Sequence, residues 1–129
     1  MGKSILRDKS YVFAIRVVEM VKPLQSERKE YILSKQLLRS GTAVGALISE
    51  AEFGQSKADF THKLSIALKE ANETRYWLSL LKDTDYIGLE LFNSIEKDCS
   101  ELIRLLVASI NTAKGNARGG KGIVKRSEK

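Results

Sequence analysis

Apolar side chains recur every three or four positions in four successive stretches of this chain, with short polar breaks between them. In the first stretch, residues 8–24, the recurring positions are Phe13, Val17, Met20 and Leu24. This spacing places them on one face of an α-helix. Pro23 stands near the predicted end of the helix, since proline is disfavoured in a helix interior.

Small residues accompany the apolar face of the second predicted helix, residues 27–53. That face consists of Leu33, Leu37, Val44, Leu47, Ile48 and Ala51. Beside it lie Gly41, Gly45 and Ser49 at intervals of four, which indicates close approach by a neighbouring helix, at a propensity cost of about 1 kcal/mol per glycine. A break of the helix near Ser40 and Gly41 is the alternative.

The third and fourth predicted helices have the most regular patterns. Ser56 is the predicted N-cap of the third, because its hydroxyl can accept a hydrogen bond from an amide of the first turn. Its stripe consists of Phe60, Leu64, Ala67, Ala71, Thr74, Leu78 and Leu81. After a turn at 83–88, the fourth stripe consists of Phe92, Ile95, Cys99, Leu102 and Leu106 and fades near Ala113. Short loops make successive helices antiparallel, so residues 1–113 are predicted to form one all-α, up-and-down four-helix bundle.

Positive charge is concentrated at the C-terminus. The 129 residues contain 22 lysines and arginines against 16 acids, a net charge of +6. Six of the basic residues but only one of the acids lie in the segment 114–129, so the body is almost neutral. This glycine-rich segment has too few apolar residues to offset the entropy of ordering it, and we expect a disordered tail. A basic tail attracts polyanions, and a purely solubilising role is the alternative.

The body carries one candidate surface for phosphate contacts, on the side of the second helix opposite its apolar face. It consists of Arg28, Tyr31, Lys35 and Arg39. Cations bind phosphates and an aromatic ring can stack on a base, so we expect this face to contact nucleic acid. The tail adds Lys114, Arg118, Lys121, Lys125 and Arg126 to the predicted contacts. Glu27, Glu30 and Glu50 lie close enough to dilute the charge, and an ordinary solvated helix face is the alternative.

A second, partly apolar strip on the third predicted helix needs a partner of its own. It consists of Ile66, Glu70, Glu73, Trp77 and Leu80. A rigid, almost neutral surface with apolar strips commonly binds another copy of the same protein, so this strip is the predicted oligomer interface. Inclusion of Ile66 and Trp77 in the intramolecular core is the alternative.

The chain offers little for metal binding or nucleophilic catalysis. It has one histidine and one cysteine, so neither an internal disulfide nor a multi-ligand Cys/His site can form. Asp59 and His62 have the spacing used in di-iron bundles, but His62 is predicted to lie on the surface, away from the core stripe. Cys99 lies on the apolar stripe and is predicted to be a small buried hydrophobe.

Three glutamates form the remaining candidate for chemistry. Glu50, Glu70 and Glu73 converge if the second and third helices pack side by side, and paired acids can perform acid-base catalysis. No phosphate-binding loop, second metal ligand or nucleophile-base pair accompanies them. Structural pairing with Arg39, Arg75 or backbone amides is the favoured interpretation, and we expect neither enzymatic activity nor a cofactor.

Residues 8–113 resemble a known family. From Gln36 the chain reads QLLRSGTAVGALISEAEFGQSKADFTHKLSIALKEANETRYWLSLLKDTDYI, which is similar to the four-helix-bundle family of 23S rRNA intervening-sequence proteins. The most specific parts of the resemblance include the segments 36–39, 48–51 and 85–87. Leu47 and Ala51 stand where the family commonly has asparagine and glycine, so no polar role carries over to these positions.

The resemblance implies an antiparallel four-helix bundle that assembles as a ring-like homopentamer without established enzymatic activity. It also implies relatedness to accessory variability proteins of diversity-generating retroelements, which associate with a reverse transcriptase and with nucleic acid. The resulting hypothesis is a non-enzymatic, homo-oligomeric accessory protein that contacts RNA or DNA. A protein-interaction scaffold for a reverse-transcriptase-like partner is the alternative, and a metal-dependent enzyme has the least support. Without an apolar leader or a run near the roughly 20 residues that span a bilayer, we expect a cytoplasmic protein with no membrane contact.

Overall fold

Four long helices account for most of residues 4–117, which are the residues that the structure, a computed structural model, describes. They are α1 (Ile5–Ser26), α2 (Ile32–Glu52), α3 (Lys57–Asp83) and α4 (Leu89–Ala117). Consecutive helices pack side by side, and α4 closes the bundle against α1. Because short loops reverse the chain each time, the prediction of an all-α, antiparallel up-and-down four-helix bundle is confirmed.

The predicted stripes meet along the bundle axis and form the core. Most of their residues are buried, and the half-buried ones, Leu33, Leu47, Phe60 and Phe92, pack against the core from its margin. Complete burial of one large apolar side chain stabilises the fold by about 1.5–3 kcal/mol. The period of the apolar positions therefore determines which side of each helix faces inward.

The glycines of α2 allow α1 to approach closely. A Cβ atom at Gly41 would lie 2.9 Å from Cγ2 of Val17, and one at Gly45 would lie 3.3 Å from the carbonyl oxygen of Ser10. The helix is continuous through Ser40, whose hydroxyl is buried and accepts a hydrogen bond from Thr74 at 2.9 Å. Close helix approach is thus confirmed, and a break at this point is wrong.

The ends of the helices depart from prediction at two places. Ser56 caps α3 as predicted, accepting a hydrogen bond from the amide of Asp59 at 3.0 Å. Pro23 lies near the end of α1 as predicted, but the helix continues to Ser26. The helix α2 begins at Ile32 instead of residue 27, because the chain turns sharply at residue 29, which has a positive φ of 57°. The first five residues of the predicted second helix therefore belong to the α1–α2 turn.

The last helix continues past the predicted end of the bundle domain. Ile110 and Ala113 extend the buried stripe beyond Leu106 at the same spacings of four and three, and α4 reaches Ala117. Lys114 therefore lies on a helix, and the prediction that the disordered tail begins there is wrong. The rest of that predicted tail, 118–129, lies outside the described residues. Within 4–117, none of the helices is long and apolar enough to cross a membrane.

Candidate nucleic-acid interface

The four body residues predicted to bind nucleic acid do not form one helix face. Arg28 lies in the α1–α2 turn and Tyr31 at the N-cap position of α2, whereas Lys35 and Arg39 lie one turn apart on α2 itself. The correction follows from the late start of α2. The four residues therefore form two groups with different charge partners. One is a turn cluster at the N-terminal end of α2, and the other is Arg39 further along the helix.

The turn cluster consists of Arg28, Lys29, Tyr31 and Lys35. Within the described residues, no carboxylate forms an ion pair with any of the three cations. All four residues are exposed, and Tyr31 shows 53% of its surface to solvent. Sequence reasoning missed Lys29. Residues in a left-handed turn are usually glycine, asparagine or aspartate, so a lysine at this position does not indicate a turn.

Arg28 is held in place by the other turn at the same end of the bundle. Its Nη1 donates hydrogen bonds to the carbonyl oxygens of Asp85 at 3.3 Å and Tyr86 at 3.1 Å. The guanidinium also lies 4.8 Å from the centre of the Tyr86 ring, within range of a cation–π interaction. Carbonyl oxygens and a ring orient the guanidinium without neutralising it, so its positive charge remains available to an anion.

Glu30 uses its carboxylate to cap the first turn of α2. The carboxylate accepts hydrogen bonds from the amides of Ile32 at 3.2 Å, Leu33 at 2.9 Å and Ser34 at 2.7 Å. Glu30 is 9% exposed, and its negative charge faces the positive end of the α2 dipole. The carboxylate of Glu30 is thus occupied by backbone amides, and its dilution of the basic surface stays a prediction. Its capping role carries no sequence signal, since serine, threonine, asparagine and aspartate are the usual caps.

Arg39 is occupied by two glutamates of α3. Its Nη1 lies 3.2 Å from Glu70, and its Nη2 donates a hydrogen bond to Glu73. Glu73 also accepts a hydrogen bond from Nε1 of Trp77 at 2.9 Å. The bonds from Trp77 and Arg39 hold the pKa of Glu73 below its ordinary value, and the bond to Glu73 raises the pKa of Arg39. Pairing of these glutamates with Arg39 is confirmed, and Arg39 is the least available of the predicted phosphate contacts.

Of the three glutamates considered for acid-base chemistry, Glu70 and Glu73 converge on Arg39, and Glu50 does not join them. Glu50 instead pairs with Lys63, with Nζ 3.0 Å from Oε1, and this hydrogen bond raises the pKa of Lys63. Among residues 4–117, Arg75 pairs with none of the three glutamates; it donates to Ser100 at 3.4 Å and Asn72 at 3.3 Å, so within the chain Arg39 is the partner and Arg75 is not. The arrangement gives ion pairs along the α2–α3 seam and brings no two free carboxylates together.

The two residues considered for nucleophilic or metal chemistry lie where the sequence predicts. Cys99 is fully buried, its Sγ lies 3.4 Å from the carbonyl oxygen of Ala71, and burial raises the pKa of the thiol to about 12. His62 is exposed on the surface. Between residues 4 and 117, no group of three or more His, Cys, Asp and Glu side chains could hold a metal ion.

The predicted oligomer strip on α3 is half-buried throughout. Its members are Ile66, Glu70, Glu73, Trp77 and Leu80. Trp77 packs against the core and meets the ring of Tyr76 edge-on, with centroids 5.0 Å apart. Trp77 thus belongs in part to the intramolecular core, as the alternative interpretation holds. Self-association through this strip stays a prediction.

A more exposed apolar surface lies on α1. We call it the α1 outer strip; it consists of Tyr11, Val12, Ile15 and Val18, which are 67%, 56%, 46% and 36% exposed. Sequence reasoning missed it, because the core stripe through Phe13 and Val17 already explained why this segment is helical. A second set of apolar residues at the same spacing was the available signal.

The parts of the predicted nucleic-acid surface lie at opposite ends of the bundle. The turn cluster contacts the α3–α4 turn, at the C-terminal end of α3. At the other end, Thr112 and Ala113 of α4 line one groove with Lys57 and Phe60 at the start of α3. With a rise of 1.5 Å per residue, α3 separates the two ends by about 40 Å. Lys114 is therefore about the length of the bundle away from Arg28.

Comparison with known proteins gives a family and a related structure. The family model described as 23S rRNA-intervening sequence protein matches residues 3–108. The fold is similar to the crystal structure of a protein of unknown function from the S23 ribosomal protein family of Bacteroides thetaiotaomicron VPI-5482, with 55% identity and a TM-score of 0.81. That match covers 82% of this chain and 98% of the other. A search of the curated proteins found no match. Since the family model spans most of its length, this chain belongs to the family of 23S rRNA-intervening sequence proteins.

Proposed function

We propose that this protein is a non-enzymatic, homo-oligomeric accessory protein of the cytoplasm that contacts RNA or DNA through its basic residues. The turn cluster carries the proposal. It combines three cations that have no carboxylate partner among residues 4–117 with an exposed aromatic ring. Cations bind the phosphate backbone and a ring stacks on an unpaired base, so the cluster suits a single-stranded segment best.

Preorganisation supports a role for Arg28 in particular. The carbonyl oxygens and the ring of Tyr86 fix its guanidinium in one orientation, so less side-chain entropy is lost when a phosphate binds. Arginine also offers two parallel N–H groups to a phosphate, and only Nη1 is used by the carbonyl oxygens. Arg28 is therefore the strongest phosphate contact of the cluster, and Arg39 contributes least because Glu70 and Glu73 occupy it.

Self-association increases the effect of each weak contact. Several copies present several turn clusters to one nucleic acid, and simultaneous binding raises the overall affinity through effective concentration. In the proposed oligomer, a ring of five copies joined through the α3 strip, the clusters repeat around one end. The basic residues Lys114, Arg118, Lys121, Lys125 and Arg126 provide the second set of contacts.

The proposal is tested by binding of a labelled single-stranded RNA measured by fluorescence anisotropy over a series of salt concentrations. Affinity should fall steeply as salt rises, and Arg28→Gln or Lys35→Gln should each reduce the log–log slope by about 0.7. Tyr31→Ala should weaken binding by about 1–3 kcal/mol, whereas Tyr31→Phe should retain it. Lys97→Gln is the matched control, since this exposed lysine of α4 also lacks an ion pair among the described residues.

The tail is tested by a truncation that leaves the described helices whole. Deletion of residues 118–129 removes four of the predicted contacts but ends after α4, which reaches Ala117. We expect weaker binding and unchanged helicity by circular dichroism. Binding that does not respond to salt, or no binding by the full chain, would contradict the proposed function.

The alternative function is a protein scaffold for a reverse-transcriptase-like partner. One feature favours it: Tyr76, 60% exposed, stands edge-on against Trp77, and exposed aromatic pairs are enriched at protein interfaces. Capture of a specific protein that survives nuclease treatment and is lost in Tyr76→Ser would support this function. Capture that depends on nucleic acid would support the first.

A further inference from the structure

We infer that the α1 outer strip is a contact between two copies of this chain, with the two α1 helices packed antiparallel about a two-fold axis through Ile15. The inference rests on the self-association in the proposed function and deepens it, since it names a second surface and its symmetry. Among the described helices, α1 exposes the longest set of neighbouring apolar side chains, from Tyr11 to Val18.

The strip has the spacing of a helix–helix seam. Residues 11, 12, 15 and 18 are separated by one, three and three positions, so their side chains lie on one side of α1. Beside the strip runs a groove of about 620 Å³ between α1 and α2. Its lining combines Tyr11 and Val12 of the strip and the charged Arg7 and Asp8 with small residues such as Ala14 and Gly45. Small side chains let another helix approach, so the seam is open to a partner as well as apolar.

The sequence of the strip is complementary to itself when reversed. In an antiparallel pair centred on Ile15, each residue opposes the one equally far on the other side of the centre. Val12 then meets Val18 of the partner subunit, and Tyr11 meets Glu19 of the partner subunit, to which its phenol can donate a hydrogen bond. Apolar groups therefore face apolar groups across the axis.

The charges at the ends of the strip select the antiparallel arrangement. Asp8 opposes Lys22 of the partner subunit, and by symmetry Lys22 opposes Asp8 of the partner subunit. Neither side chain has a strong partner of its own: Asp8 forms no ion pair within residues 4–117, and Lys22 reaches only the exposed Glu19, at 3.9 Å. A parallel pair would place like charges opposite each other, which is unfavourable. Because the strip is complementary to itself, the partner that fits it is a second copy of this chain.

The contact is distinct from the proposed ring. A two-fold contact uses the same patch on both copies and closes after two, whereas a ring contact joins two different patches. Loss of the α1 contact should therefore halve the mass of the assembly and leave contacts through α3 intact. The two interfaces can be tested independently.

Cysteine cross-linking tests the symmetry directly. Ile15→Cys should give a covalent dimer on oxidation, because position 15 lies on the axis and meets itself. Val12→Cys alone should not, since the two copies of position 12 are about 9 Å apart along the axis, beyond disulfide reach. A mixture of Val12→Cys and Val18→Cys should cross-link, and Ser65→Cys, on the exposed side of α3, should not. The native Cys99 is fully buried and should stay out of the reaction.

Charge reversal tests the ends of the strip. Asp8→Lys should shift sedimentation equilibrium towards half the mass, and Asp8→Lys combined with Lys22→Asp should restore the full mass. Ile15→Glu should also halve it without loss of helicity, because Ile15 is already 46% exposed. Cross-linking of Ile15→Cys no greater than that of Ser65→Cys, or equal self-linking of Val12→Cys, would overturn the inference. If these cross-links fail while salt-dependent RNA binding remains, the α1 contact is refuted and the proposed function stands. If the cross-links form but RNA does not bind, the α1 contact stands and the proposed function is refuted.

Discussion

The helix α1 packs against its two neighbours in different ways. Towards α2, glycine replaces side-chain bulk, so that Gly41 lies directly against Val17. Towards α4 the contacts are sparser and are bridged by long charged side chains, with Nη1 of Arg16 2.6 Å from Asp98. A groove of about 600 Å³ opens at one end of this seam, and Ile15 lines it. The size of the residues at a seam therefore decides how near two helices approach.

The unburied apolar surface of α1 lies on the side of the helix away from the core. Because α1 leans on α2, the side of α1 nearer to α4 is only partly covered, and apolar residues such as Ile15 remain in contact with solvent. The core stripe of α1 is itself buried, with Phe13 1% and Val17 0% exposed, so the exposure is confined to the outer side of the helix. The α1 outer strip borders both neighbours, since Tyr11 and Val12 line a groove towards α2 and Ile15 lines one towards α4.

The largest expected effect comes from filling the close seam. Gly41→Leu should lower the free energy of unfolding by about 3 kcal/mol, because a Cβ alone would already lie 2.9 Å from the stiff side chain of Val17. Gly115→Leu is the matched control: no atom lies within 4 Å of a Cβ at that position of α4, and leucine should gain up to about 1 kcal/mol of helix propensity. Urea unfolding measures both. Equal changes in the free energy of unfolding at Gly41 and Gly115 would contradict the close packing of α1 against Gly41.

A smaller effect is expected at the open seam. Asp98→Asn should cost less than about 1 kcal/mol, because the pair with Arg16 is partly exposed, with side-chain exposures of 42% and 31%. Arg16 keeps its hydrogen bond to Ser94 at 3.0 Å, which limits the loss further. A double-mutant cycle with Arg16→Gln, again by urea unfolding, isolates the pair. A coupling above about 2 kcal/mol would show that charge holds this seam as firmly as packing holds the other.

Sequence periodicity was sufficient to predict the bundle. Burial depends on which residues share a helix face, and the spacing of residues such as Phe13, Leu64 and Leu106 reports that directly. The close approach at Gly41 was predictable for the same reason, since small residues at intervals of four leave a groove. The continuation of α4 was also visible in principle, because Ile110 and Ala113 repeat the spacing of the stripe.

The site was less predictable, because it depends on where helices end and which side chains they bring together. The left-handed turn at Lys29 and the cap by Glu30 are local choices without a usual sequence signal, and they move Arg28 off the helix. The engagement of Arg39 by Glu73 required the register between α2 and α3, which periodicity leaves open. The sequence therefore placed Arg28 on the wrong element and left the neutralisation of Arg39 open.

The smallest expected effect lies on α3, where the indole of Trp77 donates a hydrogen bond to Glu73 one turn earlier. The bonds from Trp77 and Arg39 hold the pKa of Glu73 below its ordinary value of 4.5. A carboxylate with a lowered folded-state pKa stabilises the fold above its ordinary pKa, and this contribution is lost as pH falls through the folded-state value. Acid should therefore remove the stabilisation that Trp77 provides through Glu73.

Trp77→Phe separates this contribution from packing. The variant loses the Nε1 donor and some buried surface, but only the loss of the donor depends on pH. The stability difference from the native protein, measured by urea unfolding from neutral pH to about pH 3, should shrink as Glu73 becomes protonated and level off at the cost of packing. Tyr76→Phe, at the exposed neighbouring ring, should show a constant difference. If the Trp77→Phe difference is also constant, the bond to Glu73 adds nothing, and Trp77 stabilises the fold through packing alone.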